Sequence, residues 1–146
     1  MRALTVAALF AAALPAVHAQ AQTAPGDPDT LSNRIFEALK RGTTADVLAA
    51  IGEASPLLFK NKEGAKVQIA AQVDGTIASY GPVIRWERVS TEMLGTLVRR
   101  DTYVVQHRDM VVRWRFVYMK LDRGWTIANV NFEDQSATWF PSAPAQ

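Results

Sequence analysis

The sequence predicts an α+β domain: three N-terminal helices packed on a curved four-stranded antiparallel meander. Two observations predict it. From Val83 to Asp134 the chain reads as consecutive strands joined by tight turns, with residues alternating between two faces, as in Trp114-Arg115-Phe116-Val117-Tyr118. From Thr30 to Tyr80 the apolar residues recur instead at helical spacing. Helices and strands that each carry one apolar face must bury those faces on one another.

The helices come first. Thr30 can cap a first helix whose Leu31, Ile35, Phe36 and Leu39 share one face, and Gly42 after Lys40-Arg41 is its stop. Thr43 with Asp46 three residues on resembles a capping box and opens a second helix. Val47, Leu48 and Ile51 form its apolar face, and Gly52 is expected to end it. Ser55-Pro56 breaks the chain before Leu57-Leu58-Phe59. A third helix is expected from about Lys62 to Tyr80, with Ile69, Val73, Ile77 and Tyr80 on one stripe and Tyr80-Gly81-Pro82 as a strong stop.

The turns set the strand register. A three-residue loop at Asp122-Arg123-Gly124 pairs Leu121 with Trp125, Met119 with Ile127 and Arg113 with Glu133. A two-residue turn at Arg108-Asp109 pairs Tyr103 with Trp114 and Asp101 with Phe116. A Gly95-Thr96 turn pairs Glu92 with Arg99, Ser90 with Asp101 and Arg88 with Tyr103. The opposite charges that meet at Glu92–Arg99 and Arg113–Glu133 support this register. One face then carries Trp86, Tyr103, Val105, Trp114, Phe116, Tyr118, Val130 and Phe132, the core face for the helices to cover. The other mixes Arg85, Glu87, Arg100, Arg113, Arg115, Asn131 and Glu133 with Val117, Met119, Trp125 and Ile127, and its apolar part suits a homodimer contact.

The ends of the chain read differently. Arg2, the apolar run Ala3 to Leu14 and Val17-His18-Ala19 have the form of a secretory signal peptide, residues 1–19, cleaved after Ala19. The run is shorter than the ~20 apolar residues that span a bilayer, so no stable membrane insertion is expected, and the destination is the periplasm or the medium. Residues 20–29 read as a flexible lead-in, 30–140 as the single domain and 141–146 as a flexible tail.

Composition narrows the chemistry. The sequence has no cysteine, which removes thiolate nucleophiles and soft metal sites and leaves a secreted fold without disulfides. His107 is the one histidine beyond the signal peptide, beside the turn at Arg108-Asp109, and reads as an exposed hairpin residue. No metal site, no dinucleotide loop and no other cofactor signature is present. The net charge is +2, and the arginines of the strand half alternate with acids rather than forming the one-sign stripe that nucleic acid requires.

Nothing in the sequence reaches a catalytic signature. The polar residues Arg88, Ser90 and Asp101 nevertheless fall on the aromatic core face, where polar groups must be paired or serve a pocket. One reading is a structural Arg88–Asp101 ion pair. The other is a pocket for a small apolar ligand, built from Arg88, Ser90, Asp101, Tyr103, Trp114 and Phe116.

Helices followed by a long curved meander, with Tyr80-Gly81-Pro82-Val83, Tyr103-Val104-Val105, Trp114-Arg115-Phe116-Val117-Tyr118 and Gly124-Trp125-Thr126-Ile127-Ala128-Asn129, resemble the cone fold of the nuclear transport factor two-like superfamily, also called ketosteroid-isomerase-like or cystatin-like. The resemblance spans about Leu31 to Asp134, and the chain looks like small secreted bacterial domains of unknown function. It implies a cone-like domain and, among the superfamily's roles, either a non-catalytic binding module or an isomerase- or dehydratase-like enzyme. In the enzyme case Asp101 would be the general base and Tyr103 the hydrogen-bond donor. Three functions follow as expectations: a non-catalytic periplasmic binding or accessory module, an isomerase- or dehydratase-like enzyme on a small apolar substrate, and a protein–protein interaction module of the cell envelope.

Overall fold

A computed structural model describes residues 26–56, residue 60 and residues 63–140. The expected signal peptide, residues 20–25 of the lead-in, Leu57-Leu58-Phe59 and the tail at 141–146 lie outside the described residues. Helices α1 (Pro28–Arg41), α2 (Thr44–Ala54) and α3 (Glu63–Tyr80) precede strands β1 (Val83–Leu94), β2 (Val98–His107), β3 (Val111–Leu121) and β4 (Gly124–Glu133). The strands form one antiparallel sheet in sequence order, not closed into a barrel. Among the described residues no helix is long and apolar enough to cross a membrane.

Helix α1 starts earlier than the sequence suggested. Asp27 is the cap, its carboxylate accepting from the backbone N–H groups of Asp29 at 2.9 Å and Thr30 at 3.0 Å. Pro28 fills the first helical position, where its missing N–H costs nothing. Thr30 therefore lies inside the first turn, and Pro28 and Asp29 belong to the fold rather than to a lead-in. Gly42 ends α1 as expected, with φ 76 and its N–H shared between the carbonyls of Ala38 and Leu39. Thr43 caps α2 by accepting from the Asp46 N–H at 3.3 Å. Gly52 does not stop α2, which continues to Ala54. Ile51 and Ala54 are buried, and that packing outweighs the ~1 kcal/mol penalty of an internal glycine. Along α3, Val73 is buried and Ile69, Ile77 and Tyr80 pack against the core. Gly81 then turns the chain with φ 75, and a Cβ there would stand 2.9 Å from the Arg108 Cβ, so both conformation and space demand glycine.

The hairpins test the expected register one by one. Arg108-Asp109 is the two-residue turn between β2 and β3, and Tyr103 pairs with Trp114 and Asp101 with Phe116, as expected. Between β3 and β4 the expected register holds from Arg113–Glu133 to Val117–Asn129. Nearer the turn it shifts by one residue, because Gly124 already pairs with Leu121 and Ala128 is left over as a bulge. That shift turns Ile127 into the core and packs Trp125 against it, correcting their assignment to the outer face. Between β1 and β2 the loop is Gly95-Thr96-Leu97, so Glu92 pairs with Arg100 rather than Arg99. A bulge at Val89 restores the expected Arg88–Tyr103 pairing further along. Between turn and bulge the parity is inverted: Thr91, not Ser90, lies opposite Asp101, and Ser90 is exposed.

The core forms where α1 crosses the inner face of the sheet. Phe36 is fully buried, with ring centroids 5.2 Å from Trp86, 5.1 Å from Tyr103, 5.8 Å from Trp114 and 5.5 Å from Phe116. Three of these four contacts are edge-on, the geometry that aromatic quadrupoles favour. Trp114 in turn stacks on Phe132 at 5.0 Å. On the outer face Arg113 pairs with Glu133 and lies 5.8 Å from the Trp139 ring centroid, so it is better covered than a solvated face implies. Exposed apolar residues gather at the turns of the two outer hairpins, at Leu94, Leu97, Met119 and Leu121.

Phe36→Ala removes the ring around which the sheet aromatics pack and should cost about 3–5 kcal/mol. Arg85→Ala, on an exposed side chain bonded only to Gln106 among the described residues, should cost less than about 1 kcal/mol. Urea melts of the two variants measure the contrast, and equal losses would contradict the placement of Phe36 at the centre of the core.

Candidate functional site

Four charged side chains and four hydroxyl groups converge where the start of α1 meets β1, β2 and β3. Asp101 anchors them. Its position opposite Phe116 on the inner face buries it completely, at 0% exposure. A buried carboxylate must be neutralised and hydrogen-bonded. Arg99, two residues along β2 and therefore on the same face, donates from Nε to Oδ1 at 2.8 Å and brings a terminal nitrogen to 2.8 Å from Oδ2. Thr91, placed opposite by the three-residue loop between β1 and β2, donates to Oδ1 at 2.8 Å. Arg88 stands further off, 3.9 Å from Oδ2.

Asp29 closes the cluster from the helix side. Its Oδ1 accepts from both Arg88 and Arg99. Two acids and two arginines thus alternate in a ring of zero net charge. Exposure rises outward through it, from 0% at Asp101 to 17% at Arg99, 39% at Arg88 and 46% at Asp29. Burial by itself would weaken the Arg99 charge, but hydrogen bonds to Asp101 and Asp29 more than reverse that and raise its pKa.

The hydroxyl groups lie beside the ring. Ser32 donates to the Pro28 or Asp29 carbonyl within α1, at 3.1 and 3.2 Å. Its oxygen is then the acceptor for the Tyr103 hydroxyl at 2.9 Å. Burial raises the Tyr103 pKa, which keeps that proton in place. The Tyr118 hydroxyl adjoins Ser32 and Tyr103, is buried, and lacks a well-formed hydrogen bond.

Of the six residues expected to form a pocket, Arg88, Asp101 and Tyr103 come together in this cluster. Trp114 and Phe116 lie in the aromatic core against Phe36, and Ser90 lies on the exposed side of β1. The expected Arg88–Asp101 contact exists but is the longer one, and Arg99 is the principal partner. Reasoning from sequence missed Asp29, Ser32, Thr91 and Arg99. Strand parity could have found Arg99, since residues two apart share a face. The other three depend on where α1 starts and packs and on the length of the β1–β2 loop.

His107 is also corrected. It is buried at the end of β2 because the hairpin tip folds back on the α3–β1 corner, with the Arg108 and Asp109 N–H groups donating to the carbonyls of Pro82 and Tyr80. Its Nδ1 lies 2.8 Å from the Gly81 carbonyl, which can only accept, so Nδ1 carries the proton and Nε2 is left buried without a partner. Among the described residues no cluster of acids and histidine suits a metal ion.

No protein-family model and no curated protein matches the chain. Among solved structures it is similar to a domain of unknown function with a cystatin-like fold from Nostoc punctiforme, at 12% identity over 73% of this chain and 74% of that one, TM-score 0.49. It is similar to a nuclear transport factor two-like protein of unknown function from Silicibacter pomeroyi, at 12% identity over 72% and 90%, TM-score 0.47. A structure from Xanthomonas campestris, provisionally named a calcium/calmodulin dependent protein kinase II association domain, is similar at 19% identity over 90% and 98%, TM-score 0.49. Likeness at such identity concerns the fold, and the chemistry rests on this chain's own residues.

Burial holds the His107 ring below its ordinary pKa of 6.5, although the Gly81 carbonyl works in the opposite direction. A histidine depressed in the folded state is protonated more readily when unfolded. Its contribution is therefore complete above the unfolded pKa and is lost as pH falls from about 6.5 through the folded value. His107→Asn, which can keep a donor near the Gly81 carbonyl, should flatten the fall in urea stability between pH 7.5 and 5. An unchanged slope would contradict the burial of a neutral imidazole.

Proposed function

We propose that this chain is a non-catalytic binding or accessory module that works outside the cytoplasm. One observation carries the reading: both residues suited to catalysis are committed to structural partners. Asp101 Oδ1 accepts from Arg99 and Thr91, and Oδ2, buried without a hydrogen bond, stands 2.8 Å from an Arg99 terminal nitrogen, out of reach of a ligand. A general base needs a free lone pair within reach of the substrate proton. Tyr103, the candidate donor to a developing oxyanion, donates to Ser32 of α1. Phe36 fills the space against the inner face where an apolar substrate would lie. The signal-like N-terminus supports an envelope or extracellular setting.

The isomerase- or dehydratase-like alternative requires α1 to lift and Arg99 to release Asp101. The outer-ring residues Arg88 and Asp29, partly exposed and paired with each other, instead offer polar recognition at the rim without moving α1.

Protein exported by its native route should have an intact mass beginning at Gln20, allowing for cyclisation of that residue. Native mass spectrometry of the same sample, followed by release of any bound molecule, should return the ligand unchanged. Turnover of the released molecule that disappears in Asp101→Asn would contradict the non-catalytic reading. A product retaining Ala3 to Leu14 would contradict the setting.

A further inference from the structure

We propose that Arg88 and Arg99 form a recognition fork for a small carboxylate ligand, and that Asp29 occupies this fork when the ligand is absent. The inference rests on the binding-module reading and names the ligand class for it.

The fork is built from below. Arg99 is held by Asp101, whose Oδ1 takes its Nε at 2.8 Å and whose Oδ2 stands 2.8 Å from its terminal nitrogen. Asp101 is itself fixed by Thr91 at 2.8 Å. Arg99 is thereby oriented before any ligand arrives, the condition under which a guanidinium binds with the least loss of side-chain freedom. Arg88 reaches the same point from the neighbouring strand.

The occupant is held less firmly. Both arginines contact a single oxygen of Asp29, Oδ1, and among the described residues no hydrogen bond or ion pair engages Oδ2. A carboxylate free to turn can offer both oxygens, the bidentate geometry that guanidinium groups favour. Asp29 also has no part in capping α1. Asp27 does that through the N–H groups of Asp29 and Thr30, so the Asp29 side chain can leave without uncapping the helix. Its departure leaves two arginines facing one buried acid, a net positive site that an incoming carboxylate would neutralise. The deep side of the fork is nearly closed, with Asp101 fully buried and Arg99 17% exposed, which admits a small carboxylate rather than a bulky one.

Tethering makes Asp29 a competitor at an effective concentration on the order of millimolar. Ligand affinity should therefore rise when Asp29 is removed. The test uses the full mature chain and acetate as probe at constant ionic strength, followed through the side-chain Nε–H resonances of the arginines. Asp29→Ala should bind acetate about tenfold more tightly than the parent chain, and adding Arg88→Gln should abolish the gain. Arg88 is chosen because it is partly exposed, whereas loss of Arg99 would leave Asp101 buried and unpaired. A urea melt first establishes that each variant is folded. Equal acetate affinity in the parent and Asp29→Ala overturns the proposal. So does a gain that survives Arg88→Gln, or an equal gain for inorganic phosphate, which would make the fork a general anion patch. Such a failure removes the carboxylate assignment alone, because the search for a co-purifying molecule depends on no ligand class.

Discussion

A carboxylate without water must have a cation, and the inner end of this fold is arranged around that constraint. Asp101 stands on the inner face of the sheet and is completely buried. An unpaired charge there would cost several kcal/mol, far more than one hydrogen bond returns. Arg99 supplies the cation, and the three-residue loop at Gly95-Thr96-Leu97 brings Thr91 opposite to supply a hydroxyl. Asp29 and Arg88 extend the neutralisation outward to solvent. The helix start, the strand register and the length of the β1–β2 loop are all tied to keeping this one charge paired.

The pairing also decides what the inner face can do. The same α1 that delivers Asp29 and Ser32 to the polar cluster delivers Phe36 to the aromatic core, a little over one turn further along. A helix seated by both a charge and a ring has little freedom to shift and open a deep cavity. Chemistry at Asp101 would need that seating undone, whereas recognition at the rim needs only the Asp29 side chain to move. The difference in cost between these two motions is the basis of the proposed binding role.

Much of this was legible in the sequence. Period-two alternation assigned Tyr103, Val105, Trp114, Phe116 and Tyr118 to the buried face, and Gly42 and Gly81 marked two helix ends. The tight turn at Arg108-Asp109 fixed its hairpin without error. Failures came where one residue too many was present. Bulges at Val89 and Ala128 absorb the mismatch between turn length and distant register, and no local residue pattern announces them. They moved Ser90 outward and Ile127 inward. Asp27-Pro28 was a readable start signal for α1, and passing over it concealed Asp29. His107 was misjudged because proximity to a turn says nothing about where the turn docks.

A double-mutant cycle on Arg99 and Asp101 measures how far the buried carboxylate depends on its cation. The measurement is urea unfolding free energy for the parent, Arg99→Leu, Asp101→Leu and the double variant at neutral pH. The account predicts that each single change is strongly destabilising, about 3–5 kcal/mol where the remaining charge is buried, and that the double variant recovers at least ~1 kcal/mol of the summed loss. Additive losses, with coupling near zero, would contradict it, because they would mean that Asp101 does not depend on Arg99 to remain buried.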